Sequence, residues 1–569
     1  MNIKPIIEFR DFSFQYFTQS EPTLRGITLQ IFPGEKVLIA GPSGSGKSTL
    51  GHCINGLIPF YYKGESRGTL TVNGVETKQQ NIFRLSKVVG TVLQDTDCQF
   101  VGLTAGEDIA FSMENDRVAL PEMKERVLKA AQMLDMDRWL TLSPFELSGG
   151  QKQRTALAGV MVDDVDVLLF DEPLANLDPA TGKQAIEIIH DICRDRTKTV
   201  IIIEHRLEDV LHREVDRVIL IDDGQIAADM DAHSLVASDV LKTHGIREPL
   251  YVTALKYAGV RVTPASRAGY MQTLRLSAAE KQQVVDWHNA VQPPPPPPEK
   301  PPVLRVEHVD FSYDAGKQVL SDVSFVIREG EMLSLVGRNG AGKSTIAKLM
   351  CGFERPDRGR ILCGGEDIAK KSIKEIAEQI GYVMQNPNQM ISQTLIRDEV
   401  ALGLKLRGTD KDETEDRVQN ALSICGLRPF RKWPVASLSY GQKKRVTIAA
   451  ILALDPKIII LDEPTAGQDY RHYSEIMDFL RAINERGITV LMITHDMHLM
   501  QEYTPRVIAL SDGQVIADRS AAAILTDADV IGQANLKETS LYALAQLAGI
   551  PDGTAFVQRF IDEERRRGL

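Results

Sequence analysis

Two glycine-rich stretches carry the first chemistry. Gly41, Pro42, Ser43, Gly44, Ser45, Gly46, Lys47, Ser48 and Thr49 read GPSGSGKST, and Gly337, Arg338, Asn339, Gly340, Ala341, Gly342, Lys343, Ser344 and Thr345 read GRNGAGKST. Glycines at this spacing let a backbone wrap closely around phosphates and turn its N–H groups inward at a helix N-terminus. Lys47 and Lys343 then bring a positive charge to the β- and γ-phosphates, and Ser48 and Ser344 offer hydroxyls to Mg2+. Each stretch stands between an apolar strand-like run and a helical pattern, the context this motif requires.

A phosphate cradle hydrolyses nothing without a metal ligand and a group that positions water. The runs LLFDEP and IILDEP end in adjacent carboxylates. Side chains alternate in direction along a strand, so the two acids of each pair can take different roles. Asp171 and Asp462 are assigned to the Mg2+ shell, and Glu172 and Glu463 to the attacking water. His205 and His495 each follow a further apolar strand, where an imidazole can reach a γ-phosphate. Gln94 and Gln385 also end predicted strands and can ligate Mg2+ or position water.

The stretch LSGGQ at Leu147 to Gln151 returns as LSYGQ at Leu438 to Gln442. Ser148 and Ser439 sit like helix N-caps, with Gly150, Gln151, Gly441 and Gln442 following. A helix N-terminus with exposed N–H groups is also an anion site. Residue types alone do not say whose phosphate it would meet.

The elements that must position these groups are written twice. The glycine-rich loops are offset by 296 residues, the Gln, Ser and Asp positions by 291, and the histidines by 290. Five features in one order at nearly constant spacing mean a duplicated domain. The likeness continues into REPLYVTALKYAGV and KETSLYALAQLAGI, which place Tyr251 opposite Tyr542 in two helical appendages. Short, unalternating, β-branched runs such as VDVLLF, TVIII, KIIIL and TVLMI predict strands buried on both faces, hence a mostly parallel sheet flanked by helices. The expected fold class is α/β, two tandem P-loop NTPase domains each with a small helical C-terminal appendage. The expected boundaries are 1–230 and 231–262 for the first domain and its appendage, 263–302 for a Pro-rich linker, and 303–518 and 519–569 for the second pair. Six consecutive prolines, Pro293 to Pro298, favour extended polyproline II and a semi-rigid spacer.

Composition narrows the function classes. A net charge of −11 and a pI near 5.6 speak against a nucleic-acid partner. The six cysteines show no CxxC pairing, as expected of reduced thiols. No window reaches about 18 uninterrupted apolar residues, so any membrane role is expected to come through partners.

The set GxxxxGK[ST], Gln, LSGGQ, strand with DE, and His resembles the nucleotide-binding domain of ABC ATPases, over nearly the entire chain. The resemblance implies ATP with Mg2+ as the bound nucleotide. It also implies adenine stacking by Tyr16 and Tyr313, and D-loop aspartates at Asp178 and Asp469. It further implies head-to-tail pairing of the two domains within one chain, each ATP held between one P-loop and the other domain's signature. LSYGQ would then cover the ATP on Lys47, and LSGGQ the ATP on Lys343. Both copies keep Lys, Asp, Glu and His, so two working sites are expected, with Tyr440 a source of inequality. QDTDCQFVGLTAGEDIAF and TVIIIEHRLEDV are similar to the ATPases of energy-coupling factor (ECF) importers, and most to the fused subtype associated with thiamine or hydroxymethylpyrimidine, with cobalt or nickel as alternatives. That likeness implies an integral-membrane coupling subunit docked near Gln99 and Phe100, a separate membrane substrate-binding subunit, and a peripheral place on the cytoplasmic face of a bacterial membrane. The rival from another class is a soluble twin-domain ABC protein acting on the ribosome. Its long basic helical linker has no counterpart here, because acids balance the bases of 263–302 and prolines interrupt any helix.

Overall fold

The computed structural model describes residues 4–94, 99–175, 177–194, 196–291, 299–313, 316, 318–465, 468 and 470–567. Asp469, Cys98 and the proline run Pro293 to Pro298 lie outside the described residues. The chain divides into two compact units, Met1–Trp287 with Leu547–Gly549 and His288–Gln546 with Ile550–Leu569.

In the first unit, strands β1 (Ile7–Tyr16), β2 (Leu24–Ile31), β3 (Lys36–Ala40), β4 (Gly64–Val72), β5 (Val75–Glu76), β6 (Val89–Val92), β7 (Val167–Asp171), β8 (Thr199–Ile203), β9 (Arg217–Asp222) and β10 (Gln225–Met230) build two sheets. One is antiparallel in the order β2-β1-β4-β5, and the other runs β10-β9-β3-β8-β7-β6 with its centre parallel. Every residue of β3, β7 and β8 is buried, which is why these strands read as unbroken apolar runs. Phe9, Phe14, Ile39, Leu50, Leu169 and Ile203 belong to the core between the layers.

The second unit repeats the plan. Strands β11 (Pro302–Ser312), β12 (Gln318–Arg328), β13 (Met332–Gly337), β14 (Arg358–Cys363), β15 (Glu366–Asp367), β16 (Ile380–Val383), β17 (Ile458–Asp462), β18 (Thr489–Ile493), β19 (Arg506–Ser511) and β20 (Gln514–Arg519) give sheets β12-β11-β14-β15 and β16-β17-β18-β13-β19-β20. The α/β reading therefore holds in both halves. In each, the glycine-rich loop, the acidic pair, the histidine and the glutamine all leave the carboxyl ends of four adjacent parallel strands, β3, β7, β8 and β6 or β13, β17, β18 and β16. Side chains far apart in sequence meet there for the reason that ligands bind at this edge of open α/β sheets.

The appendages pack through specific groups. Tyr251 donates to the Ala268 carbonyl at 2.8 Å, and the Tyr270 hydroxyl joins the Val215 backbone N and O at 3.0 and 2.8 Å. Part of the stretch read as a linker thus folds onto the first unit, and it continues into a helix, Ala278–Asn289. In the second unit the helix Gly553–Arg567 encloses the Glu563 carboxylate with Arg559, Arg566 and Arg567.

Candidate functional site

Each glycine-rich loop joins its strand to a helix, Lys47–Ile54 or Lys343–Met350, through a left-handed glycine at Gly46 or Gly342. Gly41 and Gly337 are the tightest points. A Cβ on either would lie 2.1 or 2.2 Å from the carbonyl oxygen of Ile221 or Leu510, so no other residue fits there. Lys47 is 5% exposed, and its ammonium donates to the carbonyls of Gly41 (2.9 Å) and Pro42 (2.8 Å). Lys343 does the same with Gly337 (2.7 Å) and Arg338 (3.0 Å).

The serine after each lysine meets the acid at the end of the neighbouring strand. Ser48 Oγ donates to Asp171 Oδ1 at 3.2 Å, and Ser344 Oγ to Asp462 Oδ2 at 3.1 Å. Burial and the adjacent Glu172 push the Asp171 carboxyl up to about 6. Burial likewise raises Asp462. Carboxylates held unfavourably charged in this way call for a cation. Ser45 Oγ is a buried polar atom without a hydrogen-bond partner inside the first loop. A loop that admits no Cβ at Gly41, a buried lysine turned toward the loop carbonyls, an orphaned hydroxyl and an under-compensated Ser–Asp pair together suit a nucleotide with a divalent ion. Tyr16 and Tyr313 stand beside the following threonines, with hydroxyls 3.1 and 3.4 Å from Thr49 and Thr345 Oγ1.

Glu172 and Glu463 share a left-handed backbone, with φ of +48° and +46°, uncommon for a residue with a side chain. Their surroundings differ. Gln94 Nε2 donates to Glu172 Oε2 at 2.5 Å. His205 Nδ1 lies 3.6 Å from Glu172 and nearer, at 3.1 Å, to Glu204, a fully buried acid that sequence reasoning passed over. Burial would lower the imidazole pKa, but Glu204 and then Glu172 outweigh it and raise it. Burial would likewise raise Glu172, and the adjoining His205 brings it below the ordinary value. In the second copy His495 Nδ1 is 2.8 Å from Glu463 Oε1, and Thr494 replaces the buried acid.

Gln385 is brought in by its backbone. Its carbonyl accepts from Tyr440 (3.1 Å) and Lys444 (2.8 Å), while its side chain makes no hydrogen bond among the described residues. Lys444 Nζ also donates to the Glu463 carbonyl at 3.0 Å, and burial pushes the ammonium pKa down to about 8. Asp462 receives a further bond from Tyr382 at 3.0 Å, where the first copy has Thr91.

Ser148 and Ser439 cap their helices reciprocally with Gln151 and Gln442. A Cβ on Gly150 would lie 2.6 Å from the Thr181 side chain, whereas one on Gly441 would be in ordinary contact with Gln468 and His472 at 3.9 Å. Asp178 caps the helix Pro179–Ile192 by accepting from the Thr181 amide at 2.9 Å. The matching Asp469 is outside the described residues. Gln99 spends its side chain on its own loop, bonded to Leu93 N and Thr91 O, while Val101 and Leu103 beyond Phe100 are exposed.

A family model described as ABC transporter matches residues 24–175 and again 320–466, the two stretches that hold the loops, signatures and acidic pairs. The chain belongs to the ABC transporter ATP-binding family. It is an ATPase of that family by the same matches. A Clostridium perfringens protein provisionally named an ABC transporter ATP-binding protein is 55% identical over 565 residues, 99% of each chain. One of the same name from Enterococcus faecalis is 53% identical over 566 residues, again 99% of each. A second family model, described as ATP-binding cassette cobalt transporter, matches residues 238–311. A solved structure of cbiO1 from Clostridium perfringens, described as part of the ABC transporter complex cbiONQ, is 34% identical, covers 44% of this chain and 98% of its own, and has a TM-score of 0.39. Among the described residues no helix is long and apolar enough to cross a membrane.

Proposed function

We propose that the chain is the energy-coupling subunit of an ECF-type importer for a vitamin or metal-ion micronutrient, in which residues 1–230 and 303–518 pair head to tail around two ATP molecules. The observation that carries this reading is the doubled set at equivalent strand ends: Lys47 with Ser48–Asp171 and Glu172–His205, and Lys343 with Ser344–Asp462 and Glu463–His495. The match of 238–311 to a model described for cobalt transport favours a divalent metal as cargo. The likeness of QDTDCQFVGLTAGEDIAF and its neighbours keeps thiamine or its pyrimidine precursor as the alternative. The cargo would be bound by a separate membrane subunit, with a membrane coupling subunit docked on the exposed surface beyond Gln94.

Lys47 and Lys343 bind the phosphates, already held toward the loop by two carbonyls each. Tyr16 and Tyr313 orient the adenine. Mg2+, when bound, would neutralise charge on the β- and γ-phosphate oxygens, held by Ser48, Asp171 and Gln94 in one copy and Ser344, Asp462 and Gln385 in the other. Glu172 and Glu463 orient the attacking water, and His205 and His495 donate toward the γ-phosphate. Ser148 with Gly150 and Gln151, and Ser439 with Gly441 and Gln442, close over the phosphate of the opposite site, and Asp178 lines that seam. Positioning and electrostatic stabilisation account for the rate.

Affinity purification of the full chain from membranes, with identification of co-purifying integral proteins and bound small molecules or metals, tests the assignment. Two membrane partners, one carrying a micronutrient, are expected. Recovery with ribosomes and no membrane partner would overturn the transport role and leave the ATPase standing.

A further inference from the structure

Three backbone N–H groups converge on the fully buried carboxylate of Glu204. Its Oε1 accepts from the amides of His205 (2.8 Å) and Arg206 (3.1 Å), and its Oε2 from the amide of Leu174 (3.3 Å). The His205 Nδ1 also lies 3.1 Å from Oε1. Leu174 belongs to the turn that follows Glu172, so one side chain spans the two turns leaving β7 and β8. A carboxylate offers acceptors only, which suits converging donors; an amide of the same size would set its NH2 against one of them.

Glu172 needs such an anchor. Its backbone is left-handed, with φ of +48°, a conformation that persists in a residue with a side chain only where the surroundings impose it. The Glu172 amide is bonded to the Ile203 carbonyl at 2.9 Å, and the Leu174 amide two residues on is bonded to Glu204. The strained residue is thus pinned to the end of β8 from both sides.

The second unit ties the same two turns with a different set. Thr494, fully buried at the Glu204 position, accepts through its hydroxyl from the Asp496 amide at 2.9 Å. Thr465, at the Leu174 position, directs its hydroxyl to Asp496 Oδ2 at 3.5 Å. The acid that precedes the histidine in one unit follows it in the other, and the bridge is present in both.

We propose that Glu204 is a positioning residue for ATP hydrolysis at the first site, fixing the turn that carries Glu172 to the turn that carries His205. This rests on the roles proposed above for Glu172 and His205. Effective molarity falls steeply with small misplacements of a water-orienting oxygen, so loosening the two turns slows the chemical step. Phosphate binding through Lys47 lies outside the tie and is left intact.

Steady-state ATP turnover by the full chain in a Glu463→Gln background, which leaves the first site active, tests it. Glu204→Gln should lower kcat by about tenfold or more with KM for ATP within about twofold of the parent. A folded Glu204→Gln chain with unchanged kcat, whatever its melting temperature, overturns the proposal. Because Glu204 acts through its neighbours, adding Glu204→Gln to His205→Ala should slow single-turnover hydrolysis by less than about twofold further; the full tenfold loss there would mark a merely structural acid. Where Glu204→Gln folds poorly, the second unit's own set gives the reading, with Leu174→Thr, Glu204→Thr and Arg206→Asp in one chain: kcat within about threefold of the parent supports the tie, and a tenfold loss overturns it. His205→Ala alone separates the two ideas. Turnover untouched by it would sink the roles assigned to Glu172 and His205 and this proposal with them, whereas loss with His205→Ala but not with Glu204→Gln refutes the proposal alone.

Discussion

Tyr382→Phe isolates one bond that only the second copy has. The substitution keeps the ring, its packing 6.1 Å from Phe353, and the strand position, and removes the hydroxyl that donates to Asp462 Oδ2 at 3.0 Å. A hydrogen bond to an ionised group is worth about 1.5–3 kcal/mol. Tyr382 is only partly buried and Ser344 still serves the same oxygen, so a loss of about 1.5 kcal/mol in the nucleotide-free second unit is expected. Burial already raises the Asp462 carboxyl, and loss of a donor raises it further, so the variant's folded state holds a proton more tightly than the parent's. The deficit should then be complete at about pH 8, where Asp462 is ionised in both chains, and shrink on acidification as the carboxyl protonates. Urea unfolding followed by Trp433 fluorescence reports this unit once Trp139 and Trp287 are changed to Phe. With a slope of about 3 kcal/mol per molar, the midpoint should fall by about 0.5 M near pH 8. A shift that is absent there, or that does not shrink on acidification, would show that Tyr382 does not stabilise a charged Asp462 and would remove it from the site.

Gly41→Ala and Gly337→Ala should each abolish nucleotide binding at their own site by forcing the loop off the neighbouring carbonyl, read by a fluorescent ATP analogue with the other site as internal control. Lys47→Ala and Lys343→Ala should each weaken ATP at one site by about 2–4 kcal/mol, judged from a unit charge near phosphate at intermediate dielectric; binding stoichiometry falling from two to one at fixed concentration is the readout. Glu172→Gln and Glu463→Gln should each cut phosphate release severely; a large loss for the first with near silence for the second would contradict two working sites. Glu563 is pushed down to about 2, because Arg566, Arg567 and Arg559 outweigh its burial. Its contribution is thus present above the ordinary carboxylate value and lost as pH falls through about 2, and since two of the arginines are well exposed, Glu563→Gln should cost about 1–2 kcal/mol at neutral pH, with the two chains converging in strong acid.

The groups legible in the sequence share one property: their function is written locally. GPSGSGKST dictates its own loop, LLFDEP its own strand end, and TVIII a strand that must be covered on both faces, so the α/β halves and the clustering at the carboxyl edge of each parallel sheet follow from short patterns. Tyr382, Lys444 and Glu204 act otherwise. Tyr382 reaches a carboxylate 80 residues away, Lys444 spans 59 residues to Gln385, and Glu204 is a strand-end acid whose importance comes from lying against the next residue's imidazole. Nothing in their own neighbourhoods marks them. The duplication did offer a signal: beside identical motifs the copies exchange Thr91 for Tyr382, Gln153 for Lys444, Gly149 for Tyr440 and Glu204 for Thr494.

Those exchanges bear on whether two sites with one list of catalytic groups are one kind of site. In the first copy, His205 answers to two carboxylates and stands 3.6 Å from Glu172, which is held instead by Gln94 at 2.5 Å. In the second, His495 holds Glu463 directly at 2.8 Å, and the glutamine contributes its backbone to a lysine tie. Orienting water is a matter of placing one carboxylate oxygen, and effective molarity falls steeply with small misplacements. If Glu172 and Glu463 orient water as proposed, a Glu172 released by withdrawal of Gln94 and a Glu463 held by His495 will reach the reactive arrangement by different motions. Interchanging the flanking residues, with Glu204→Thr and Thr494→Glu in one chain, should then exchange part of the rate difference between the sites measured in the Glu463→Gln and Glu172→Gln backgrounds. Rates that stay with their original sites would locate the asymmetry elsewhere, in the signatures rather than beside the histidines.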